Sequence, residues 1–331
     1  MEVSDPLSEH SGLDKIAMSE RFALEDAAMR KLGFAITMLV AFALGPAALA
    51  QSAEGLTNAL HIYDNYRVVP NITYLTANNW DAKLDVYQAR DAKGANPTLI
   101  YFHGGGWVQG SKEASSLTFL PFLEMGWNVV NVEYRLGKVS LAPAAVQDAL
   151  CALRWVYRNG KDYNVDTGRL VLMGNSAGGH LALKTGMIPA SAGLDSLCPG
   201  TEELKVAAII NWYGITDVNE LLAGPNVRNY AVAWLGGMSN RDEIAKRVSP
   251  LTYVRAGLSP IISIQGDADP TVPYSQNVRL HRALDDAGVR NMFVTVPGGK
   301  HGGFSDAEMA KVYAEIRGFL DKQNIARLSA N

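Results

Sequence analysis

The chain has 331 residues, 48% of them hydrophobic, with 30 basic and 33 acidic side chains and a formal net charge of −3. That balance supplies neither a basic stripe for phosphates nor an acidic tail, so no nucleic-acid partner is expected. Only Cys151 and Cys198 are available for sulfur chemistry, and no histidine and carboxylate cluster has metal-ligand spacing, so neither metal nor cofactor is expected.

Residues 1–28 carry mixed charge without a long periodic pattern. They read as disordered, or as lying upstream of a true start at Met29. Basic Arg30 and Lys31 then precede an apolar run over 32–44, broken by Gly45-Pro46 before the small-residue end Ala48-Leu49-Ala50. This is the pattern of a secretory signal over 29–50, cleaved before Gln51. The apolar run is about 13 residues where a spanning helix needs roughly 20, so no stable membrane anchor is expected. Residues 51–331 then read as one secreted or periplasmic domain, in which Cys151 and Cys198 are disulfide candidates.

Strand patterns occur at 72–75, 82–88, 98–102, 128–133, 170–173, 206–212, 261–264 and 292–296. Helical spacing occupies 117–124, 144–158, 178–185, 275–287 and 306–323. The alternation predicts an α/β fold, a mostly parallel sheet with helices on both faces. The first two strands have no helix between them and are expected to form an antiparallel edge. Residues 217–250 break the rhythm with Gly, Asn and Pro among short helical pieces, as a small lid does.

The chemistry-bearing motifs fall at predicted strand ends. Gly174-Asn175-Ser176-Ala177-Gly178 lies between the strand 170–173 and a small-residue helix, the order a nucleophile elbow requires, with Ser176 as the attacking group. His103-Gly104-Gly105-Gly106-Trp107 comes directly after the strand 98–102. Gly105, Gly106 and Ala177 are the expected oxyanion donors, and His103 is read as a loop anchor. After the strand 261–264, the turn Gly266-Asp267-Ala268-Asp269-Pro270 offers Asp269 to orient a base, while Asp267 is left to satisfy turn amides. His301, in Gly299-Lys300-His301-Gly302-Gly303, is the expected base; His180, on the helix after Ser176, is expected to be structural. Trp107, Tyr134 and Trp212 are candidates for lining a substrate pocket.

The chain order Ser176, Asp269, His301 is that of the α/β-hydrolases. Together HGGGW, GNSAGG, GDADPTVP and KHGGF resemble the esterase and lipase branch related to hormone-sensitive lipase. Within it, the chain is similar to secreted bacterial carboxylesterases of the acetyl-xylan and feruloyl kind. The resemblance spans roughly residues 72–322. It implies an α/β-hydrolase fold with a small lid, the triad Ser176, Asp269 and His301, and the oxyanion hole Gly105, Gly106 and Ala177. It further implies hydrolysis of small-molecule or polysaccharide-linked esters. Gln265 stands where many relatives carry histidine, and the segment before Ile72 is short for the two-helix cap of the lipase-like members. Two other functions fit parts of the pattern: a peptidase like the catalytic domain of prolyl oligopeptidases, and a noncatalytic binding module on a hydrolase fold. The first lacks a propeller-sized region before residue 72; the second usually loses a triad member.

Overall fold

The computed structural model describes Ile62, residues 64–90 and residues 94–325, and divides the chain into the units Met1–Asp64 and Asn65–Asn331. The upstream stretch 1–28 and the leader 29–50 lie outside the described residues. The second unit carries the sheet and every motif loop.

Eight strands form one sheet: β1 (Tyr66–Ala77), β2 (Trp80–Ala89), β3 (Asn96–Phe102), β4 (Asn128–Val132), β5 (Val165–Asn175), β6 (Ala208–Trp212), β7 (Ile261–Gly266) and β8 (Asn291–Val296). Their order is β1-β2-β4-β3-β5-β6-β7-β8. The contacts β1 to β2 and β2 to β4 are antiparallel, and every later pair is parallel. All eight expected strands and the antiparallel edge are present. Strands β3, β4, β6 and β7 are buried at every position, as their continuous apolar runs require when both faces of a parallel sheet are covered. The edge strand β1 is half exposed and begins six residues before the expected segment, because an edge carries a weak apolar pattern.

The helices are α1 (Leu120–Glu124), α2 (Ala144–Asn159), α3 (Ala177–Met187), α4 (Asn229–Leu235), α5 (Arg241–Val248), α6 (Tyr274–Asp286) and α7 (Asp306–Lys322). The expected helix over 117–124 is divided: 3₁₀ turns cover Glu113–Phe119, and the α-helical turn starts at Leu120 with Pro121 in its first positions. Proline suits a helix start because the first helical N–H groups have no partner to lose. Helix α7 opens with a capping box in which Ser305 and Glu308 exchange side-chain and backbone bonds. Helices α4 and α5 occupy the interruption at 217–250. Trp234 of α4 is fully buried, so this small lid is packed into the body.

Strands β3, β5, β6, β7 and β8 run parallel, so their carboxyl ends collect on one edge of the sheet. That edge receives all the motif loops, as the switch-point logic of open α/β sheets leads one to expect.

Candidate active site

Strand β5 is buried from Leu170 to Gly174 and feeds directly into α3 through Asn175 and Ser176. Ser176 adopts φ 55° and ψ −115°, a conformation that costs an ordinary residue about 1–3 kcal/mol. Packing imposes it. A Cβ on Gly174 would stand 2.3 Å from the Gly178 backbone, and one on Gly178 would stand 2.0 Å from the Phe102 carbonyl oxygen. The Ser176 amide donates to Trp212 O at 2.8 Å, and Ser176 O accepts from the His180 amide at 2.9 Å. Ala177 begins α3, so its N–H lacks an intrahelical acceptor and lies at the positive end of the helix dipole.

The loop after β3 lies against this elbow: a Cβ on Gly104 would touch Asn175 O at 3.0 Å. Gly105 and Gly106 have φ of 114° and 60°, values that glycine adopts without strain. Their N–H groups donate to no other group among the described residues, while Gly105 O is held by the amides of Val108 and Gln109 at 3.1 Å each. His103 anchors the loop. It is fully buried, donates from Nδ1 to Gly104 O at 2.7 Å and stacks on Tyr134 at 4.2 Å.

The three aromatic candidates have different positions. Trp107 is fully buried, stacks on Trp234 at 4.1 Å and donates its indole N–H to His180 Nδ1 at 3.1 Å. Tyr134 is fully buried and donates to His103 O at 2.9 Å. Both stand behind the glycine loop. Trp212 lines an open cavity.

The acid turn after β7 and the base loop after β8 are pressed together, since a Cβ on Gly266 would fall 2.0 Å from Gly299 O. Asp267 Oδ1 accepts from the Gly298 amide at 2.6 Å, tying the two loops. Asp269 reaches the expected base: His301 Nδ1 lies 2.8 Å from its Oδ2, and the carboxylate is fully buried beside a 20% exposed imidazole. Thr271 and Val272 amides donate to Asp269 Oδ1 at 2.8 and 3.1 Å, and Gln265 Nε2 donates to Oδ2 at 3.1 Å. Burial pushes this carboxyl up. The His301 bond and charge, with the two amides, outweigh burial and hold it below the ordinary carboxylate value.

His180 has both ring nitrogens engaged, with Nδ1 accepting from Trp107 and Nε2 donating to Val248 O at 2.8 Å. Burial lowers its pKa to about 3, so it is neutral at pH 7.

Two neighbours of the site take positions that the sequence does not assign them. Tyr213 has φ 40°, its ring lies 4.6 Å from the His301 ring, and its hydroxyl accepts from Asn175 Nδ2 at 3.1 Å. It therefore connects the residue before Ser176 to His301. Its only sequence signal is an aromatic just beyond a strand end. Gln265, the second, is a polar residue in a buried strand, a departure that by itself flags a bonding role.

Among the described residues, neither Ser176 Oγ nor His301 Nε2 hydrogen-bonds to another group, so both are free to engage a reactant; catalytic bonds commonly tighten only when substrate binds. Beside them the open cavity, about 470 Å³, is lined by Asn175, Trp212, Tyr213, Gly302, Phe304 and Tyr313, with further side chains from the 3₁₀ turns and α1. Farther from the site, Cys151 and Cys198 form a disulfide with Cα atoms 5.6 Å apart, which joins α2 to the loop before β6. Among the described residues no helix is long and apolar enough to cross a membrane.

The family model described as BD-FAE matches residues 84–284. Esterase LipQ of Mycobacterium tuberculosis is 29% identical over 230 residues, 66% of this chain and 53% of that protein. The ethyl acetate hydrolase of Pseudomonas putida is 29% identical over 222 residues, 62% of this chain and 66% of that protein. The chain thus spans about half to two thirds of the length of these curated relatives. Among solved structures, a truncated carbohydrate esterase from gut microbiota superposes with a TM-score of 0.64 at 26% identity, covering 76% of this chain and 97% of that one. Butyrate-bound esterase 2 of Thermogutta terrifontis gives 0.67 at 28% identity, covering 81% and 96%.

Proposed function

The chain belongs to the BD-FAE family, with the α/β-hydrolase fold of the hormone-sensitive-lipase-like esterases, and from that premise we propose that it is a serine carboxylesterase acting on short-chain acyl esters. Ser176 Oγ attacks the ester carbonyl while His301 Nε2 takes its proton. Asp269 holds the His301 Nδ1–H and stabilises the imidazolium as it forms. The amides of Gly105, Gly106 and Ala177 receive the oxyanion, each worth roughly 3 kcal/mol of barrier. Collapse of the tetrahedral intermediate releases the alcohol with the proton from His301 and leaves the acyl group on Ser176. Water, activated by the same imidazole, then hydrolyses the acyl-enzyme.

The observation that carries this reading is the 2.8 Å pairing of His301 with Asp269, next to the Tyr213 contact that joins the base to the nucleophile elbow. Acetyl or feruloyl groups on plant polysaccharide are the finer substrate proposal. The ethyl acetate hydrolase and carbohydrate esterase among the relatives support the acetyl and polymer parts, and the size and aromatic lining of the cavity support the feruloyl part. Export is also proposed, from the 29–50 pattern and the Cys151–Cys198 bond, which suits an oxidising compartment.

A panel of esters varying in acyl length and alcohol tests the reading. Ser176→Ala is expected to lower turnover roughly a millionfold and to abolish fluorophosphonate labelling; ordinary activity in that variant refutes the assignment. Hydrolysis of aryl acetates with none of acetylated xylan removes the polymer proposal while keeping the esterase.

A further inference from the structure

Asp269 has two oxygens with about four acceptor positions, and all four are used. Thr271 and Val272 amides take Oδ1, while His301 Nδ1 and Gln265 Nε2 share Oδ2. The bond from Gln265 is directional for a reason that lies deeper in the fold. An amide has a donor end and an acceptor end, and the Gln265 acceptor end is occupied: Oε1 receives Asn277 Nδ2 at 2.8 Å. Its Nε2 also donates to Val272 O at 2.8 Å, which fixes the same orientation independently.

Asn277 is oriented in turn. Its Nδ2 also donates to Gly214 O at 3.1 Å, and its Oδ1 accepts from Asn211 Nδ2 at 2.8 Å. Asn211 donates further to Ser263 Oγ at 2.9 Å and accepts the Gly214 amide on Oδ1 at 2.9 Å. Three fully buried amides, from β6, α6 and β7, therefore hand donors in one direction, ending on the oxygen that also holds the imidazole.

We propose that Gln265, oriented by Asn277 and Asn211, is a positioning residue that lowers the basicity of His301 by sharing the Asp269 oxygen to which the imidazole is bonded. The proposal rests on the triad reading of Ser176, Asp269 and His301. Each N–H given to a carboxylate disperses its charge and weakens what remains for a neighbouring cation. With Gln265 in place, Asp269 has less charge left to stabilise the imidazolium. Glutamine does not titrate, so in this chain the set point of the base does not shift with the protonation of that neighbour.

The other titratable or charged groups around the pair are held on separate supports. Tyr213 packs on the His301 ring. Arg228 and Tyr230 of the lid bond to the carbonyls of Pro270 and Thr271. Asp267 is tied to Gly298, and Lys300 precedes the base on its loop. None of those contacts involves the Gln265 side chain.

The test is the NMR titration of His301 in the full chain, with the pH profile of kcat/KM beside it. Gln265→Met, which keeps the length and removes the donor, is expected to raise the His301 pKa by about half a unit and to move the acid limb of the profile upward equally. Asn277→Ala, which frees Oε1 and loosens the amide, is expected to give a smaller shift in the same direction. A purely structural role lowers the melting temperature and depresses kcat at every pH without moving the limb. An unmoved or lowered His301 pKa in folded Gln265→Met overturns the proposal; if that variant does not fold, the same readings on Asn277→Ala decide. Because the titration needs no turnover, a wild type that resists fluorophosphonate would sink the esterase reading and still leave this one to be judged.

Discussion

His180 and His301 both belong to the neighbourhood of Ser176, the first by sequence and the second by folding. His180 lies one helical turn after the nucleophile, fully buried, with both ring nitrogens committed and its pKa lowered to about 3. His301 lies on a glycine loop from the far end of the chain, 20% exposed, with Nδ1 committed to Asp269 and Nε2 unengaged among the described residues. A proton carrier needs one nitrogen held and the other available. Its place on α3 makes His180 rigid, and Trp107 and Val248 take both its nitrogens. The supports differ as well: the elbow glycines are forced by contact, whereas Gly298 and Gly303 of the base loop have positive φ and open space around them.

Replacing each histidine is the sharpest way to break this contrast. His301→Ala is expected to lower kcat about a millionfold, comparable to loss of the nucleophile, while His180→Gln stays within about tenfold at pH 7 and lowers the melting temperature. Equal kinetic losses would mean that His180 takes part in proton transfer. Next in size is the elbow itself. Gly178→Ala puts a methyl 2.0 Å from the Phe102 carbonyl and 2.6 Å from that of His103, both backbone atoms that cannot turn aside. A loss of about 4 kcal/mol in denaturant unfolding is expected, and a cost below about 1 kcal/mol would show that the elbow yields.

The same contrast has a pH signature. In the folded chain His180 titrates near 3, against 6.5 for an unperturbed histidine. The unfolded state therefore binds the extra proton between those values. The stability that comes from a neutral His180 is complete above about pH 6.5 and is lost as the pH falls toward 3. At pH 5 the loss amounts to about 2 kcal/mol. Thermal melts at pH 7 and pH 5 measure it, and His180→Gln is expected to remove that part of the pH dependence. A wild-type melting temperature unchanged between the two pH values contradicts the buried neutral state.

How much of the molecule is legible in its sequence depends on the range of the interactions involved. Ser176, the glycine loop at 103–107 and the parallel strands are legible because each is specified by neighbours a few residues away: an apolar run, small residues at the turn, then a helix. Asp269 and His301 are legible by type and chain order, and their meeting depends on β7 and β8 lying side by side. Tyr213 and the amides of Asn211, Gln265 and Asn277 are not legible in role, because each also depends on partners 12 to 88 residues distant in the chain, and even Gln265, four residues before Asp269, is oriented by Asn277. The same logic explains Trp107 and Tyr134, which sit near strand ends as pocket residues do and yet have side chains that bond to His180 of α3 and to the His103 carbonyl. The turns over Glu113–Phe119 escaped because periodicity alone does not separate 3₁₀ from α-helical spacing over one turn.

The smallest effect belongs to the base loop and tests whether its glycines serve conformation alone. Gly303 has φ +68°, and a Cβ there meets no heavy atom within 4 Å. Gly303→Ala therefore adds no clash. Its cost is that of holding an L-residue in the left-handed region, about 1 kcal/mol, partly offset by the smaller entropy of the unfolded chain. For a domain of this size that is a fall of roughly 2–4 °C in melting temperature, with kcat altered by less than about fivefold, because the His301–Asp269 bond is made one turn of loop away. If Gly303→Ala instead cost as much stability as Gly178→Ala, the loop would be packed as tightly as the elbow, and the difference between a fixed nucleophile and an accessible base would need another cause.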